Sequence, residues 1–480
     1  MGKEKKRHEI GMRGAALLQF ASKYTNVLAQ LFITAVLARL ISPEDFGLLS
    51  IVVVFSSFFQ LFSDMGIGAA IIQYRDLTEE DYGSLFVFSG ILAVLLAFLF
   101  CLAAFPISLF YGEPRLVSLC CFASPALVFG TLNMVPNGLM LRNKKFKIIA
   151  FRLVSSTLIS GTIAIVSAYL GAGTYSLIIQ TVLSSLIILI WNILANPIRE
   201  INIHFCRVLK RVFSYSAYQF GFSFINYFSR NLDNLVIGRV LGAESLGYYD
   251  KAYKLTTYPM NNLSSVVASV IQPYMAENQN HPERILDCWL KIEKLLSLLG
   301  AIVSSIFIVA APEIVEIVYG SQWAAAVPLF QVLSISIYFQ MLGNPSGAFF
   351  QSLGRTDLMF KVGLINTCLT LCGLVVGILI GSLQMVAVCV SIAFCLHVVP
   401  LAYFLLCKGM KASLAILKKF IPDVSISVIS IIICFLFSNI MPHEVLIRFT
   451  CKLLLIVMIC LIGYKITGQS KVLLSLFKRR

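Results

Sequence analysis

Lys23, Arg230, Arg239, Lys251 and Lys254 are cations within stretches that are otherwise apolar. A charge at the centre of a bilayer costs on the order of 2.5 to 3.5 kcal/mol even on lenient insertion scales. Lys23 and Lys254 lie about eight residues inside their stretches, about 12 Å at 1.5 Å per residue, too deep for easy snorkelling. The chemistry they suit is anion binding in a wet cavity, with ammonium and guanidinium donors meeting phosphate or carboxylate oxygens. Asp233 and Asp250 partly offset them and are the acids available for coupling a proton or a sodium ion. Arg230 and Asp233, three apart, also suit a buried structural pair. Arg39 and Arg239 end their stretches, where snorkelling or capping of the next turn is the simpler role. Arg152 reads as an orientation charge near the cytoplasmic face.

These charges belong to polar stripes. Gln19, Lys23, Asn26, Gln30 and Thr34 follow at steps of four, three, four and four, which places them on one helical face. Asn226, Arg230, Asp233 and Asn234 form a second stripe, and Asp250, Lys254, Tyr258, Asn261 and Ser265 a third. Pro259, within the third, is the hinge candidate. No other chemistry competes. The sequence has no Walker A loop, HExxH or GxSxG, and its 13 cysteines lack metal-ligand spacing. No cofactor or metal is expected. His397 reads as a packed residue, and Gly373-x3-Gly377-x3-Gly381 as close helix packing.

The elements that must carry the stripes are transmembrane helices. Of 480 residues 58% are hydrophobic and only 13% charged, against roughly 45 to 50% apolar in soluble domains. Apolar runs of bilayer-crossing length succeed one another with short polar breaks, giving about fourteen spans: 15–40, 46–70, 84–109, 116–140, 148–170, 174–195, 213–240, 246–272, 292–311, 325–352, 360–381, 384–407, 421–440 and 446–467. The fold class is an all-α integral membrane protein. The net charge of +15 does not indicate nucleic acid, because Lys and Arg alternate from loop to loop. Residues 3–13, 142–147, 207–211 and 408–419, Arg284, Lys291, Lys294 and the terminal Phe-Lys-Arg-Arg form the basic side, which puts both termini in the cytoplasm.

The helix exit "ARLISPEDFGLL" returns 200 residues later as "GRVLGAESLGYY", with Arg39, Glu44 and Gly47 recurring as Arg239, Glu244 and Gly247. Tyr111-Gly112 recurs as Tyr319-Gly320, and Pro136-x-Gly138 as Pro345-x-Gly347. The order favours two parallel six-helix repeats with the substrate path between them. The expected organisation is a basic N-terminus (1–13), a six-helix lobe (14–195), a cytoplasmic linker (196–212), a second six-helix lobe (213–407), two further helices (408–467) and a basic tail (468–480). Spans 1, 7 and 8 then line a positive cleft, while spans 3, 6, 9, 11, 13 and 14 read as almost wholly apolar.

The stretches "LARLISPEDFGLLSIV", "FSDMGIGAAIIQ" and, most specifically, "NLDNLVIGRVLGAESLGYYDKAYKL" resemble the polysaccharide transporter family of oligosaccharide flippases, in its colanic-acid-exporter-like branch. The resemblance covers about residues 10 to 410 and extends to the superfamily that includes multidrug extruders and lipid II flippases. It implies two six-helix lobes around a V-shaped central cleft. It also implies transfer of an undecaprenyl-pyrophosphate-linked oligosaccharide across the bacterial inner membrane, for export of O-antigen, capsule or exopolysaccharide. Polysaccharide polymerase and chain-length machinery are then the expected partners besides the lipid bilayer. Lys23, Arg230, Lys251 and Lys254 are the positions matching the family's cleft cations by location. The alternatives are a drug/cation antiporter of the same superfamily and a membrane polysaccharide polymerase or ligase.

Overall fold

The computed structural model describes residues 12–64, 68, 71, 74, 76–198, 224, 227, 228, 230–260 and 282–469. Among them every regular element is helical. Eleven helical segments are long and apolar enough to cross a membrane. The first helix, α1 (Met12–Leu40), falls outside those eleven. Its polar stripe lowers the apolar character that its 29 residues would otherwise give it. Expected spans 7 and 8 run partly outside the described residues. The protein is a multi-pass membrane protein.

The chain forms two compact units, Met1–Glu244 and Ser245–Arg480. The first holds α2 (Pro43–Asp64), α3 (Glu79–Tyr111), α4 (Arg115–Leu132), α5 (Met134–Arg142), α6 (Phe146–Tyr169) and α7 (Thr174–Ala195) besides α1. Local chemistry sets their ends. Thr78 and Asp81 form a reciprocal capping box that opens α3, and Gly112 closes it in the left-handed region at φ 72. Ser42 opens α2, its hydroxyl accepting from the Asp45 amide at 3.2 Å, with Pro43 in the first turn. Glu44 pairs with Arg115, and Thr174 donates to Asp45 at 2.6 Å, so the Ser42–Asp45 turn also ties three helix ends together.

Residues 230–260 are helical throughout, with Gly242 in the left-handed region at φ 85. The repeat reading opens the second lobe at residue 213, whereas the compact division falls after Glu244. The reason is side-chain packing within the N-terminal unit. Tyr227 donates to the Val54 carbonyl at 2.5 Å, Tyr111 donates to that of Leu235 at 3.1 Å, and Phe58 sits against Phe224, Tyr227 and Phe228.

The second unit comprises α9 (Pro282–Val309), α10 (Ala311–Val318), α11 (Val327–Gly343), α12 (Ser346–Ser352), α13 (Thr356–Leu379), α14 (Leu383–Leu396), α15 (Val398–Ala402), α16 (Ile421–Phe437) and α17 (Val445–Ile466), with α8 denoting 230–260 across the division. Within it α13 lies close on α14: a Cβ at Gly377 would stand 2.5 Å from the Val386 Cα, a spacing that only glycine allows. The two units also share a connection. Helices α6 and α13 have 24 residues each. Each is preceded by a left-handed residue, Lys144 or Gly354, and followed by another, Gly171 or Gly381, all at one offset of 210 residues.

Two expectations are corrected. Lys294 lies inside α9 rather than in a cytoplasmic loop, and is buried. Spans 9, 13 and 14 are not purely apolar: Glu293, Lys294, Asp423 and Lys452 are all buried in them. Each was misread because a lone charge in sequence gives no sign of the partner that makes its burial affordable.

Candidate functional site

In the N-terminal unit the first polar stripe is present on α1. Lys23 and Gln30 are exposed, and Asn26 is half-buried with its Oδ1 lacking a hydrogen-bond partner. The Gln19 side chain and Asn226 lie outside the described residues. Arg230 is exposed, and three residues on Asp233 is buried, its Oδ1 accepting from the Asn234 amide at 2.8 Å. Arg239 is exposed with its guanidinium 5.3 Å from the Phe110 ring centre, a cation–π contact that suits a helix exit. Arg39 donates back to the Ala35 carbonyl at 2.8 Å, capping its own helix.

In the C-terminal unit Lys254 donates to Asp250 at 2.7 Å, the carboxylate buried and the ammonium half-exposed. Lys251, next to it in sequence, is buried instead and lies 5.6 Å from the Tyr319 ring centre. Asp250 and Lys251 are adjacent and point about 100° apart on the helix, whereas Lys254, four residues after Asp250, comes back over the carboxylate. Pro259 is half-buried near the end of the described helix, and Asn261 lies outside it.

The polar centres the sequence did not reveal are deeper. Arg152 is only 8% exposed, so it is no surface orientation charge. It donates to Asn137 Oδ1 at 2.7 Å and to Asn192 Oδ1, and Asn192 in turn donates to Asn133 Oδ1 at 2.6 Å. Asn133 and Asn137, with Gln60 and Ser63, line a cavity of about 150 Å³ in the N-terminal unit. The signal available in sequence was three asparagines and an arginine within expected spans 4 to 6, but they are too scattered to form a stripe.

In the C-terminal unit two further buried cations, Lys294 and Lys452, have carboxylates. Lys294 donates to both oxygens of Asp423, at 2.8 and 2.7 Å, and Asp423 also accepts from Ser297 at 2.5 Å. Glu313 accepts from Lys452 at 2.7 Å and forms an ion pair with Arg448 at 2.5 Å. Glu293, 1% exposed, borders a small apolar cavity with Trp289, Leu401 and Phe420. Among the described residues no cluster of His, Cys, Asp and Glu is arranged to hold a metal ion.

Residues 36–328 match the model of a family described as polysaccharide biosynthesis protein. The chain is 30% identical over 305 residues to the teichuronic acid biosynthesis protein TuaB of Bacillus subtilis (strain 168), covering 63% of each chain. It therefore spans slightly less than two thirds of that relative's length. It is 28% identical over 395 residues to the lipopolysaccharide biosynthesis protein WzxC of Escherichia coli (strain K12), covering 79% of this chain and 77% of that one. Among solved structures it is similar to the lipid II flippase MurJ in an inward closed conformation, with a TM-score of 0.76, 15% identity, and coverage of 95% of this chain and 100% of that one. The fold is accordingly of that kind.

Proposed function

The chain belongs to the polysaccharide biosynthesis protein family, and on that premise we propose that it is a flippase for a lipid-linked oligosaccharide. The observation that carries the reading is the joint occurrence of a flippase-like helical fold with the exposed cations Lys23, Arg230 and Lys254 on the polar helices α1 and α8. Lipopolysaccharide and teichuronic acid biosynthesis in the relatives' names supports a saccharide cargo. The cargo is taken to be an undecaprenyl-pyrophosphate oligosaccharide, crossing the bacterial inner membrane outward with both termini of the chain in the cytoplasm.

The lobes 14–195 and 213–407 are taken as two repeats of one six-helix unit, a reading supported by the matched left-handed residues around α6 and α13. Lys23 and Arg230, exposed cations of the first unit, meet the pyrophosphate, whose charge a cation offsets more strongly as water is excluded. Lys254, already bound to Asp250, serves as a switchable pair: a cation captured by Asp250 frees the ammonium for cargo, and cargo release restores the pair. Alternating exposure of the head group follows, with the polyprenyl tail remaining in lipid. The chain transports and makes no bond, unlike a polymerase or ligase.

The test is mass spectrometry of lipid extracts from cells deleted for the gene and complemented with wild type or Arg230→Ala. Accumulation of a lipid-pyrophosphate oligosaccharide that wild type clears and Arg230→Ala does not is the expected result. No accumulation in the deletion sinks the flippase reading.

A further inference from the structure

We propose that the cavity bounded by Gln60, Ser63, Asn133 and Asn137 is an oxyanion-binding site, held positive by Arg152 and used to engage the negatively charged part of the cargo. The inference rests on the flippase reading and names a recognition site within it built from helices α2, α4 and α5 rather than from the stripes carrying Lys23 and Arg230.

The argument begins with charge. Arg152 is buried on α6, and both of its side-chain partners are neutral amides, Asn137 and Asn192. Among the described residues no carboxylate pairs with it, whereas Lys294 and Lys452 in the other unit each have one. A guanidinium without a counter-charge in a low-dielectric surrounding projects a positive field into any adjoining polar space.

That space is lined by donors. A guanidinium can only donate, so Asn137 must turn its Oδ1 toward Arg152. Asn133 likewise presents its Oδ1 to the Asn192 amide nitrogen. With both carbonyl oxygens committed behind the wall, the Nδ2 groups of Asn133 and Asn137 are the donors left for the cavity they line. The third amide, that of Gln60, packs against Gly130. At Gly130, also in the lining, an added Cβ would stand 2.8 Å from Gln60 Oε1, so only glycine leaves room for the Gln60 side chain where it lies. The Ser63 hydroxyl is in contact with Thr131 at 2.5 Å. A cavity rich in N–H donors, biased positive and about 150 Å³ in volume fits one phosphate- or carboxylate-bearing group.

Two parts of the proposed cargo share this chemistry, the lipid-linked pyrophosphate and a carboxylate on an acidic sugar. The experiment separates them. The full chain, purified in detergent, is titrated calorimetrically with inorganic pyrophosphate and with glucuronate, as wild type and as Asn137→Asp. The substitution is nearly isosteric and gives Arg152 the carboxylate it lacks, so the fold is retained while the field is cancelled. We expect wild type to bind one of the anions and Asn137→Asp to bind it at least tenfold more weakly, with an equal or higher Tm. Binding of pyrophosphate assigns the site to the lipid phosphate, and binding of glucuronate assigns it to an acidic sugar. Wild type binding neither anion, or Asn137→Asp binding as wild type does, overturns the proposal. A lower Tm in the variant overturns it too, since Arg152 would then already have had a counter-charge. Lipid extracts of the complemented deletion strain keep the two readings apart. If wild type clears the lipid-linked intermediate and Asn137→Asp does so equally, the flippase stands and this site falls. If wild type clears nothing, the flippase reading itself fails.

Discussion

Arg152 in the N-terminal unit and Lys294 in the C-terminal unit are buried to a similar degree, yet their surroundings are opposite in design. Lys294 meets both oxygens of a fully buried Asp423, a serine closes the set, and the charge is cancelled. Arg152 meets two asparagine carbonyls and keeps its charge. A cancelled pair joins helices, here α9 to α16, and has no further use for a ligand. A charge satisfied in hydrogen bonds but not neutralised has electrostatic work still to do. The same contrast separates the amide-lined cavity of the first unit from the small apolar one of the second, bordered by Trp289 and Leu401.

This contrast can be broken at its strongest point by Asp423→Ala. It strands Lys294 in the interior and should cost about 3 to 5 kcal/mol, read as a marked fall in the Tm of the purified protein. Little change would show that Lys294 reaches water. Replacing both partners, as Lys294→Met with Asp423→Leu, should recover most of that loss, because apolar residues of similar volume often substitute for a buried pair without penalty. The double variant is compared with the single one in the same melt. In the N-terminal unit Arg152→Met should cost less, about 1 to 3 kcal/mol, the penalty for leaving the Asn137 and Asn192 carbonyls unpaired. Transport, followed by clearance of the lipid-linked intermediate, should nevertheless fall much further than that stability loss explains. If transport and stability decline together, the comparison between a functional and a structural charge collapses. The smallest effect belongs to Glu44→Ala, which removes the exposed Arg115 pair and should change stability by less than about 1 kcal/mol, with transport unaltered.

The helical membrane fold was legible in sequence because hydrophobic length is a local property. Expected spans 421–440 and 446–467 correspond to α16 (Ile421–Phe437) and α17 (Val445–Ile466) within a few residues. The polar face of α1 was legible for the same reason, its residues recurring at helical steps. The buried centres were not. Lys294 and Asp423 lie 129 positions apart and Lys452 and Glu313 lie 139 apart, so no window of residues holds both partners. Arg152 read as an orientation charge because its position near a span end is local information, whereas its burial depends on α5 and α7 folding over it through Asn137 and Asn192. Spans 9, 13 and 14 read as apolar because one or two charges among some twenty residues barely alter their hydropathy.

The hairpin of α16 and α17 is fastened near opposite ends, by Asp423 at the start of one helix and by Lys452 and Arg448 near the start of the other. Both of the anchoring residues it meets, Lys294 and Glu313, precede it in the chain by more than a hundred positions. During synthesis they therefore enter the bilayer first, and each waits with an uncancelled charge until the hairpin arrives. A chain interrupted before residue 421 would lack Asp423, Arg448 and Lys452, and with them the groups that cancel Lys294 and Glu313, so the order of synthesis leaves these two charges to be neutralised last.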